Sequence, residues 1–140
     1  MLLKRLPPGA DVLDLGCGAG LPSTACLARR FTVTGIDISP SQVERARLNV
    51  PGATFINADM TAVHLPESSF DAVVAFYSIV HVPRDQHATL LRSIASWLRP
   101  GGLLTTAMTV GSGPADHAHK GTGWALRCTG AATTARRTSA

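Results

Sequence analysis

A short apolar run that ends in three alternating glycines is the feature that most constrains the fold of this chain. Asp11–Leu15 is compact and apolar, and Gly16, Gly18 and Gly20 follow it at once. Pro22 then stands where a helix should begin, because proline is well tolerated in the first turn of a helix. The pattern predicts a buried strand, a glycine-rich turn and a helix, which together make the start of a βαβ unit.

The alternation of strand and helix continues along the chain. Further strands are predicted at 31–36, 53–57, 70–76 and 103–108, and helices at 22–28, 40–50 and 85–98. Ser39, Pro40 and Gln42 have the spacing of a helix capping box. Strands that are apolar throughout are typical of a parallel sheet covered on both faces. We therefore expect an α/β fold with a doubly wound sheet, whose ligands bind beyond the carboxyl ends of the strands.

Carboxylates stand at the ends of the next two predicted strands. Asp37 ends the second strand, where a carboxylate can accept hydrogen bonds from both hydroxyls of a ribose. Asp59 ends the third, where it can accept from an adenine amino group while Ile38 and Met60 flank the ring. Either aspartate alone is equally well explained as a helix cap or a loop residue. Their joint position after a glycine turn favours the binding of a nucleoside cofactor.

Asp14 and Leu21 narrow the kind of cofactor. Leu21 stands where a dinucleotide fingerprint has its third glycine, and no Lys-Ser/Thr pair follows the glycines as a P-loop requires. The Asp14 carboxylate would oppose a pyrophosphate at the helix N-terminus, whereas it suits a ligand that carries an ammonium or sulfonium cation. An NAD-binding oxidoreductase fragment is therefore the less favoured alternative.

The motifs resemble those of the class I S-adenosylmethionine-dependent methyltransferases. The resemblance rests on 11–20 (DVLDLGCGAG), 35–39 (GIDIS), 58–60 (ADM), 70–74 (FDAVV) and 98–104 (LRPGGLL), in the family's order. It implies a Rossmann-like, mostly parallel sheet, S-adenosyl-L-methionine as cofactor, and methyl transfer as the reaction. The residues that it implies for cofactor binding are Asp14, Gly16, Cys17, Gly18, Gly20, Asp37, Ile38, Asp59, Met60 and Phe76. Cys17 fills a variable small position of the motif, and we expect it to pack rather than to act as a nucleophile.

The segment after the fourth strand, 77–81, is expected to face the same crevice. His81 in this segment is a candidate catalytic base or acceptor contact, although a packing role is also open. Members of the family that methylate amino groups of DNA carry an Asp/Asn-Pro-Pro-aromatic motif here, whereas this chain has AFYS at 75–78. No stripe of aromatic and basic residues indicates single-stranded nucleic acid. We therefore expect a small-molecule acceptor, with no nucleic-acid partner and no metal.

The last 30 residues differ from the rest in composition. They carry +3 of the net charge of +4, and 19 of the 30 are Ala, Gly, Thr or Ser. We expect 1–110 to be the cofactor-binding core and 111–140 to be a basic, low-complexity and disordered tail.

The family resemblance implies two more strands, which form an antiparallel hairpin beside the fifth. We expect this C-terminal hairpin to be lacking, with the chain truncated or frameshifted near 113–122. A second hypothesis for the function is therefore a non-catalytic remnant that binds the cofactor. A fifth strand without a neighbour is also expected to favour association and marginal stability.

Cysteine usage and hydropathy bear on the cellular compartment. The three cysteines are odd in number and widely spaced, which is not the pattern of a disulfide framework. No apolar run approaches the roughly 20 residues that span a bilayer, and 1–8 lacks the apolar core of a signal peptide. We expect a soluble, cytoplasmic protein with reduced thiols and no membrane partner.

Overall fold

The computed structural model describes residues 2–107, 122–129 and 132–139. Its helices and strands, in chain order, are β1 (Asp11–Leu15), α1 (Ser23–Ala28), β2 (Thr32–Asp37), α2 (Pro40–Asn49), β3 (Thr54–Asn57), β4 (Phe70–Phe76), α3 (Arg84–Trp97), β5 (Leu98–Ala107), β6 (Thr122–Thr129) and β7 (Ala132–Ser139). Short 3₁₀ helices occupy Leu2–Arg5 and Ile79–His81. The predicted order of strands and helices over the first 107 residues is therefore confirmed.

Five strands form one sheet in the order β3-β2-β1-β4-β5, and every pairing in it is parallel. The central strand is β1, where Leu13 lies opposite Thr34 of β2 and Val73 of β4. From β1 the chain proceeds outward through β2 to β3, and it then crosses to the other side of β1 for β4 and β5. The predicted doubly wound parallel sheet is confirmed.

Helices cover both faces of this sheet. Because successive strand residues point to opposite faces, Val12 and Leu13 of β1 belong to different core clusters. One cluster joins the sheet to Leu90 and Ile94 of α3, and the other joins it to Leu27 of α1. A third cluster packs α2 against Cys17 and Phe55. Burial on both faces explains why the strands are apolar throughout.

The start of α2 agrees with the prediction in position but not in its hydrogen bonds. Ser39 precedes the helix and Pro40 begins it, yet the Ser39 side chain makes no capping hydrogen bond. The Ser39 hydroxyl instead lies 3.1 Å from the Ser41 hydroxyl, and the Ser39 backbone N–H donates to Asp37 Oδ1 at 2.9 Å. Asp37, which stands two residues before the helix cap, therefore supplies the carboxylate at this helix entrance.

The strand β5 begins earlier than predicted. It follows α3 directly at Leu98, which pairs with Phe70, and the register shifts before Ala72 pairs with Leu103. The sequence Pro100-Gly101 was expected to separate helix from strand. It lies instead in the irregular part of β5, which is tolerated because proline and glycine are accommodated at irregularities of an edge strand.

Two further strands lie within 111–140, although a C-terminal hairpin was expected to be lacking. Strands β6 and β7 pair antiparallel, with Thr122 opposite Ser139 and Thr129 opposite Ala132, in a two-stranded sheet of their own. Two extended segments so close in sequence can satisfy each other's backbone groups without apolar patterning, which is why composition missed them. The five-stranded sheet itself ends at β5 among the described strands, so the hairpin expected to be lacking from it is not there.

The remaining expectations for the tail are not decided by these strands. The tail predicted to be disordered is 111–140. Its part 111–121 and most of the segment named for a frameshift, 113–122, lie outside the described residues. The division of the chain into 1–110 and 111–140 stays a prediction.

The expectation that the thiols are reduced is wrong for one of the cysteines. Cys26 on α1 is disulfide-bonded, whereas Cys17 is free and buried. The spacing of cysteines along a sequence does not determine which of them approach within the distance that a disulfide needs, so it gave no sign of this bond. Among the described residues, no helix combines the length and the apolar character needed to cross a membrane.

Candidate functional site

A cavity of about 620 Å³ lies beyond the carboxyl end of the sheet. The strand order places the topological switch point between β1 and β4, and ligands of open α/β sheets bind beside such a point. Its volume is within the range of small-molecule sites. The residues that line it are Gly16, Ile36, Asp37, Ile38, Ala58, Asp59, Met60, Thr61, Phe76, Tyr77, Ser78, His81, Val82, Pro83 and Gln86.

Most of the residues predicted from the sequence meet in this cavity. The predicted residues that line it are Gly16, Asp37, Ile38, Asp59, Met60, Phe76 and His81. They come from the ends of four strands, which the fold brings to one edge of the sheet. Four other predicted residues do not line the cavity: Asp14, Cys17, Gly18 and Gly20.

Gly16 forms the floor of the cavity directly after β1. Its φ is +73°, and its N–H donates to the Ile36 carbonyl oxygen at 2.8 Å. A Cβ placed on Gly16 would collide with Ser78 Cβ and lie 3.0 Å from Ser78 Oγ. Glycine is therefore required here for two reasons, a left-handed backbone and the close approach of the chain after β4. Gly16 therefore lines the cavity without a side chain.

Asp37 ties the glycine turn to the start of α2. Its Oδ2 accepts the Gly18 N–H at 2.9 Å, and its Oδ1 accepts the Ser39 N–H at 2.9 Å. A carboxylate offers about four acceptor positions, so these two bonds fix the side chain and leave acceptor capacity toward the cavity. Gly18 thus contributes to the site by orienting Asp37 rather than by lining the cavity.

Asp59 is held in a tight local turn. Its Oδ1 accepts both the backbone N–H of Thr61 at 2.8 Å and the Thr61 hydroxyl at 2.7 Å. These two hydrogen bonds lower the pKa of Asp59, so its carboxylate is ionised. Asp59 Oδ1 therefore has the local role of a loop residue, as the alternative explanation predicts. The same side chain also lines the cavity. An Asp-x-Thr sequence is typical of such turns and could have identified Thr61.

Asp14 is buried beneath the glycine turn. Its side chain is engaged by the Thr24 hydroxyl, which donates to Asp14 Oδ2 at 2.6 Å. Burial raises the pKa of Asp14 to about 6, the Thr24 hydrogen bond lowers it, and the negative charge of Asp37 raises it. Because Asp14 does not line the cavity, its carboxylate can act on a ligand there only through its charge. Its implied role of holding the methionine part of the cofactor stays a prediction.

Cys17 packs away from the cavity. Its side chain is buried among Val43, Ala46, Val50 and Phe55. Burial, with the charges of Asp14 and Asp37, raises the pKa of the thiol to about 12, so the nucleophilic thiolate does not form near neutral pH. This supports the expectation that Cys17 packs rather than reacts.

The chain after β4 forms the opposite wall. Tyr77 has a φ of +56°, which is uncommon for a residue with a side chain, and its N–H donates to the Ala107 carbonyl oxygen at 2.8 Å. Ser78 is buried and donates its hydroxyl to the Leu15 carbonyl oxygen at 2.7 Å. This hydrogen bond joins the end of β4 to the end of β1. Strained backbone at such a place is typical of functional sites.

His81 lies exposed in the 3₁₀ helix that follows, and it lines the cavity together with Gln86 from the first turn of α3. His87 supports this wall from behind, since its Nε2 lies 2.7 Å from the Val82 carbonyl oxygen. Sequence reasoning missed Thr24 and Gln86, and although it placed 77–81 at the crevice, it missed the hydrogen bond of Ser78. The contact between Ser78 and Leu15 spans 63 residues of sequence, and no local pattern marks it.

Comparison with known proteins agrees with this geometry. The family described as "Methyltransferase domain" matches residues 12–102, which include β1 through the first part of β5. Two curated relatives are a 2-methyl-6-phytyl-1,4-hydroquinone methyltransferase of Synechocystis sp., 42% identical over 110 residues, and a trans-aconitate 2-methyltransferase of Enterobacter sp., 41% identical over 102 residues. The matches cover 75% and 71% of this chain but only 34% and 39% of those relatives.

A solved structure of a methyltransferase is also similar to this chain in fold. A TehB-like SAM-dependent methyltransferase from Corynebacterium glutamicum superposes with a TM-score of 0.71 at 25% identity, over 79% of this chain and 60% of that one. The similarity thus extends from the motifs to the fold over 79% of this chain.

Proposed function

Because this chain belongs to the class I S-adenosylmethionine-dependent methyltransferases, we propose that the cavity beyond β1 and β4 binds S-adenosyl-L-methionine and that the chain transfers its methyl group to a small molecule. The family and its cofactor follow from the domain match and the related structure. The residue roles, the acceptor and the activity of this particular chain are our proposals, since the chain spans about a third to two fifths of the curated relatives named above.

The residues that line the cavity fit the parts of this cofactor. Asp37 would accept hydrogen bonds from the ribose hydroxyls, and Asp59 would accept one from the adenine amino group. Ile38, whose side chain is 69% exposed, and Met60 would flank the adenine ring. Gly16, which has a φ of +73° and no side chain, would contact the methionine part. The charges of Asp14 and Asp37 favour a ligand that carries cations.

The bound cofactor would supply an electrophilic methyl group on a sulfonium. The chain's own contribution to such a displacement is to position the two reactants and to exclude water, which can lower a barrier by about 7–11 kcal/mol in well-oriented cases. Tyr77 and Gln86, which line the cavity, would position the acceptor. His81 would take a proton from an acceptor hydroxyl if the acceptor must lose one.

One observation carries the proposal. Gly16, Asp37 and Asp59 follow three different strands, yet all three line one cavity at the switch point of the sheet. Any one of them alone is explained by local structure, as Asp59 shows by its hydrogen bonds to Thr61. A shared cavity is not explained by local structure, since the three local turns would form without it.

Calorimetric titration of the chain with S-adenosylhomocysteine tests cofactor binding directly. We expect binding by S-adenosylhomocysteine and none by NAD at about 1 mM. Asp37→Asn should weaken binding by about tenfold to a hundredfold, because it replaces one acceptor oxygen with a donor. Asp85→Asn is the matched control, since Asp85 lies on α3 outside the cavity lining. Equal binding by Asp37→Asn and Asp85→Asn would refute the role of Asp37.

A methyl-transfer assay over a panel of small-molecule acceptors separates an enzyme from a non-catalytic remnant. Transfer that depends on the cofactor supports the proposal, whereas cofactor binding with no transfer to any acceptor supports the remnant. The two relatives named above have different acceptors in their names, a hydroquinone and trans-aconitate, so they do not choose between acceptor classes. The acceptor has to be argued from the lining of the cavity.

A further inference from the structure

The charged groups of the cavity are all of one sign. Asp37 and Asp59 line it, and within the described part of the chain no lysine or arginine does. Asp14 adds a third carboxylate behind the glycine turn, and its pKa is raised in part by the charge of Asp37. An anionic acceptor would therefore lose its hydration on entering this cavity without meeting a cation of the chain, which is unfavourable.

The wall that faces the proposed cofactor residues is largely aromatic and apolar. Tyr77 presents its ring, and Val82 and Pro83 add apolar surface. Aromatic side chains prefer aromatic partners in offset or edge-to-face arrangements. The left-handed backbone of Tyr77, with a φ of +56°, and its hydrogen bond to Ala107 fix the ring's attachment point at the end of β4.

Within the described part of the chain, two polar side chains join the serine and tyrosine hydroxyls on this wall. His81 and Gln86 line it, from the 3₁₀ helix and from α3. Ser78 has no free hydrogen to donate to a methyl acceptor, because its hydroxyl already donates to the Leu15 carbonyl oxygen. An acceptor hydroxyl can meet a ring nitrogen of His81 and the amide of Gln86 with complementary hydrogen bonds.

We propose that the acceptor is an uncharged aromatic compound with a free hydroxyl, and that carboxylate and phosphate compounds are rejected by the charge of the cavity. This inference rests on the proposed function, since it takes the Asp37 and Asp59 side as the cofactor side. Methylation then forms a bond between the acceptor oxygen and the methyl carbon while the bond from that carbon to the sulfonium sulfur breaks. The electron pair of the broken bond stays on sulfur, and the hydroxyl proton leaves to His81 or to water.

Two ligands of nearly equal shape test the role of charge. The probes are para-hydroxybenzyl alcohol and para-hydroxybenzoate, which share a ring and a phenol hydroxyl but differ by one negative charge near neutral pH. Their binding to the full chain is measured by calorimetry, with and without saturating S-adenosylhomocysteine. We expect the alcohol to bind at least about tenfold more tightly than the benzoate.

Two variants locate the discrimination in the cavity. Gln86→Lys places a cation in the lining and should raise the affinity for the benzoate by about tenfold. Thr89→Lys adds the same charge on the exposed surface of α3 outside the lining and should leave both affinities unchanged. Tyr77→Ala should weaken binding of the alcohol while S-adenosylhomocysteine binding stays within about twofold.

The outcomes separate this inference from the proposed function. Failure of S-adenosylhomocysteine to bind overturns the proposed function. Binding of the benzoate as tightly as the alcohol, or no binding of the alcohol at about 1 mM, overturns the acceptor class whatever the cofactor result. An equal effect of Gln86→Lys and Thr89→Lys overturns the assignment of the discrimination to this cavity.

Discussion

Burial of Asp14 couples the stability of the chain to pH. Its pKa is raised from 3.8 to about 6 by burial, so the folded state binds the proton more tightly than the unfolded state does. As the pH falls through about 6, the folded chain takes up this proton while the unfolded chain is still ionised. The contribution of Asp14 to the free energy of unfolding therefore rises on acidification down to about pH 4 and is lost as the pH rises again.

We expect Asp14→Asn to remove this pH dependence. Two pKa units correspond to about 3 kcal/mol, an upper value for the loss of stability between about pH 4 and about pH 7 that is due to Asp14. Urea unfolding at both pH values measures this change in the free energy of unfolding. Subtracting the result for Asp14→Asn from that for the wild type removes the contributions of the other titratable groups. Thr24→Val should instead enlarge the pH dependence, because the Thr24 hydroxyl is what holds this pKa down. Identical pH profiles for wild type and Asp14→Asn would contradict the assignment.

Gly16 and Gly18 distinguish two reasons for glycine in this turn, a left-handed backbone and the close approach of another chain segment. Both have positive φ, +73° and +56°, but a Cβ on Gly16 would collide with Ser78, whereas one on Gly18 meets nothing within 4 Å. We expect Gly18→Ala to cost about 1–2 kcal/mol for its left-handed backbone alone.

Gly16→Ala should cost clearly more than Gly18→Ala and should also abolish S-adenosylhomocysteine binding, because the clash moves the chain after β4 away from β1. Urea unfolding and calorimetric titration measure the two effects. Gly52→Ala is a control with neither a positive φ nor a near neighbour. Equal losses for Gly16→Ala and Gly18→Ala would show that the Ser78 contact does not matter.

At the scale of helices and strands, local patterns predicted where the elements of the first 107 residues end, and the site residues follow those ends. Gly16, Asp37 and Asp59 could be predicted because each stands directly after an apolar run. The hydrogen bonds from Thr24 to Asp14 and from Ser78 to Leu15 could not, since each depends on which elements become neighbours in space. The same limit applies to β6 and β7, whose pairing is set by proximity rather than by an apolar pattern.

The opposite end of the sheet is held by a charge cluster across three strands. Arg99 of β5 bonds Asp71 of β4 at 2.8 Å and Asp11 of β1 at 3.0 Å, and Asp71 Oδ2 also accepts the Asp11 backbone N–H at 2.9 Å. These bonds raise the pKa of Arg99, so its charge is retained throughout the working pH range. Asp71 therefore has two partners, whereas the Asp11 side chain has Arg99 alone among the described hydrogen bonds.

We expect Asp71→Ala to destabilise the chain more than Asp11→Ala. Loss of Asp71 leaves the Asp11 backbone N–H without its acceptor, at a cost of about 1 kcal/mol or more. Loss of the Asp11 carboxylate removes only a partly exposed ion pair, which salt screens. In urea unfolding, the effect of Asp71→Ala should persist in about 1 M NaCl while that of Asp11→Ala should vanish. An effect of Asp71→Ala that also vanishes in salt would show that the backbone hydrogen bond contributes nothing.

The molecule as a whole has two sheet edges of unlike character. Strand β3 at one edge is short, four residues, with Thr54 and Asn57 exposed. Strand β5 at the other edge has ten residues and carries the half-buried Leu103 and Leu104, which pack on opposite faces of the sheet. None of the described strands pairs with its outer side. A long apolar edge is a template for pairing with another chain, so β5 is the edge through which we expect copies to associate.

We therefore expect the chain to self-associate in a concentration-dependent way, and Thr106→Lys to weaken the association. Thr106 is exposed on β5, and a lysine on an edge strand opposes pairing because its charge would have to be brought against a second copy. Thr54→Lys makes the same change on β3 and should have little effect. Sedimentation velocity at about 5 and about 100 μM measures the association, since edge pairing of modest affinity grows over that range. A monomeric wild type at the higher concentration, or equal effects of Thr106→Lys and Thr54→Lys, would show that β5 is not the associating edge.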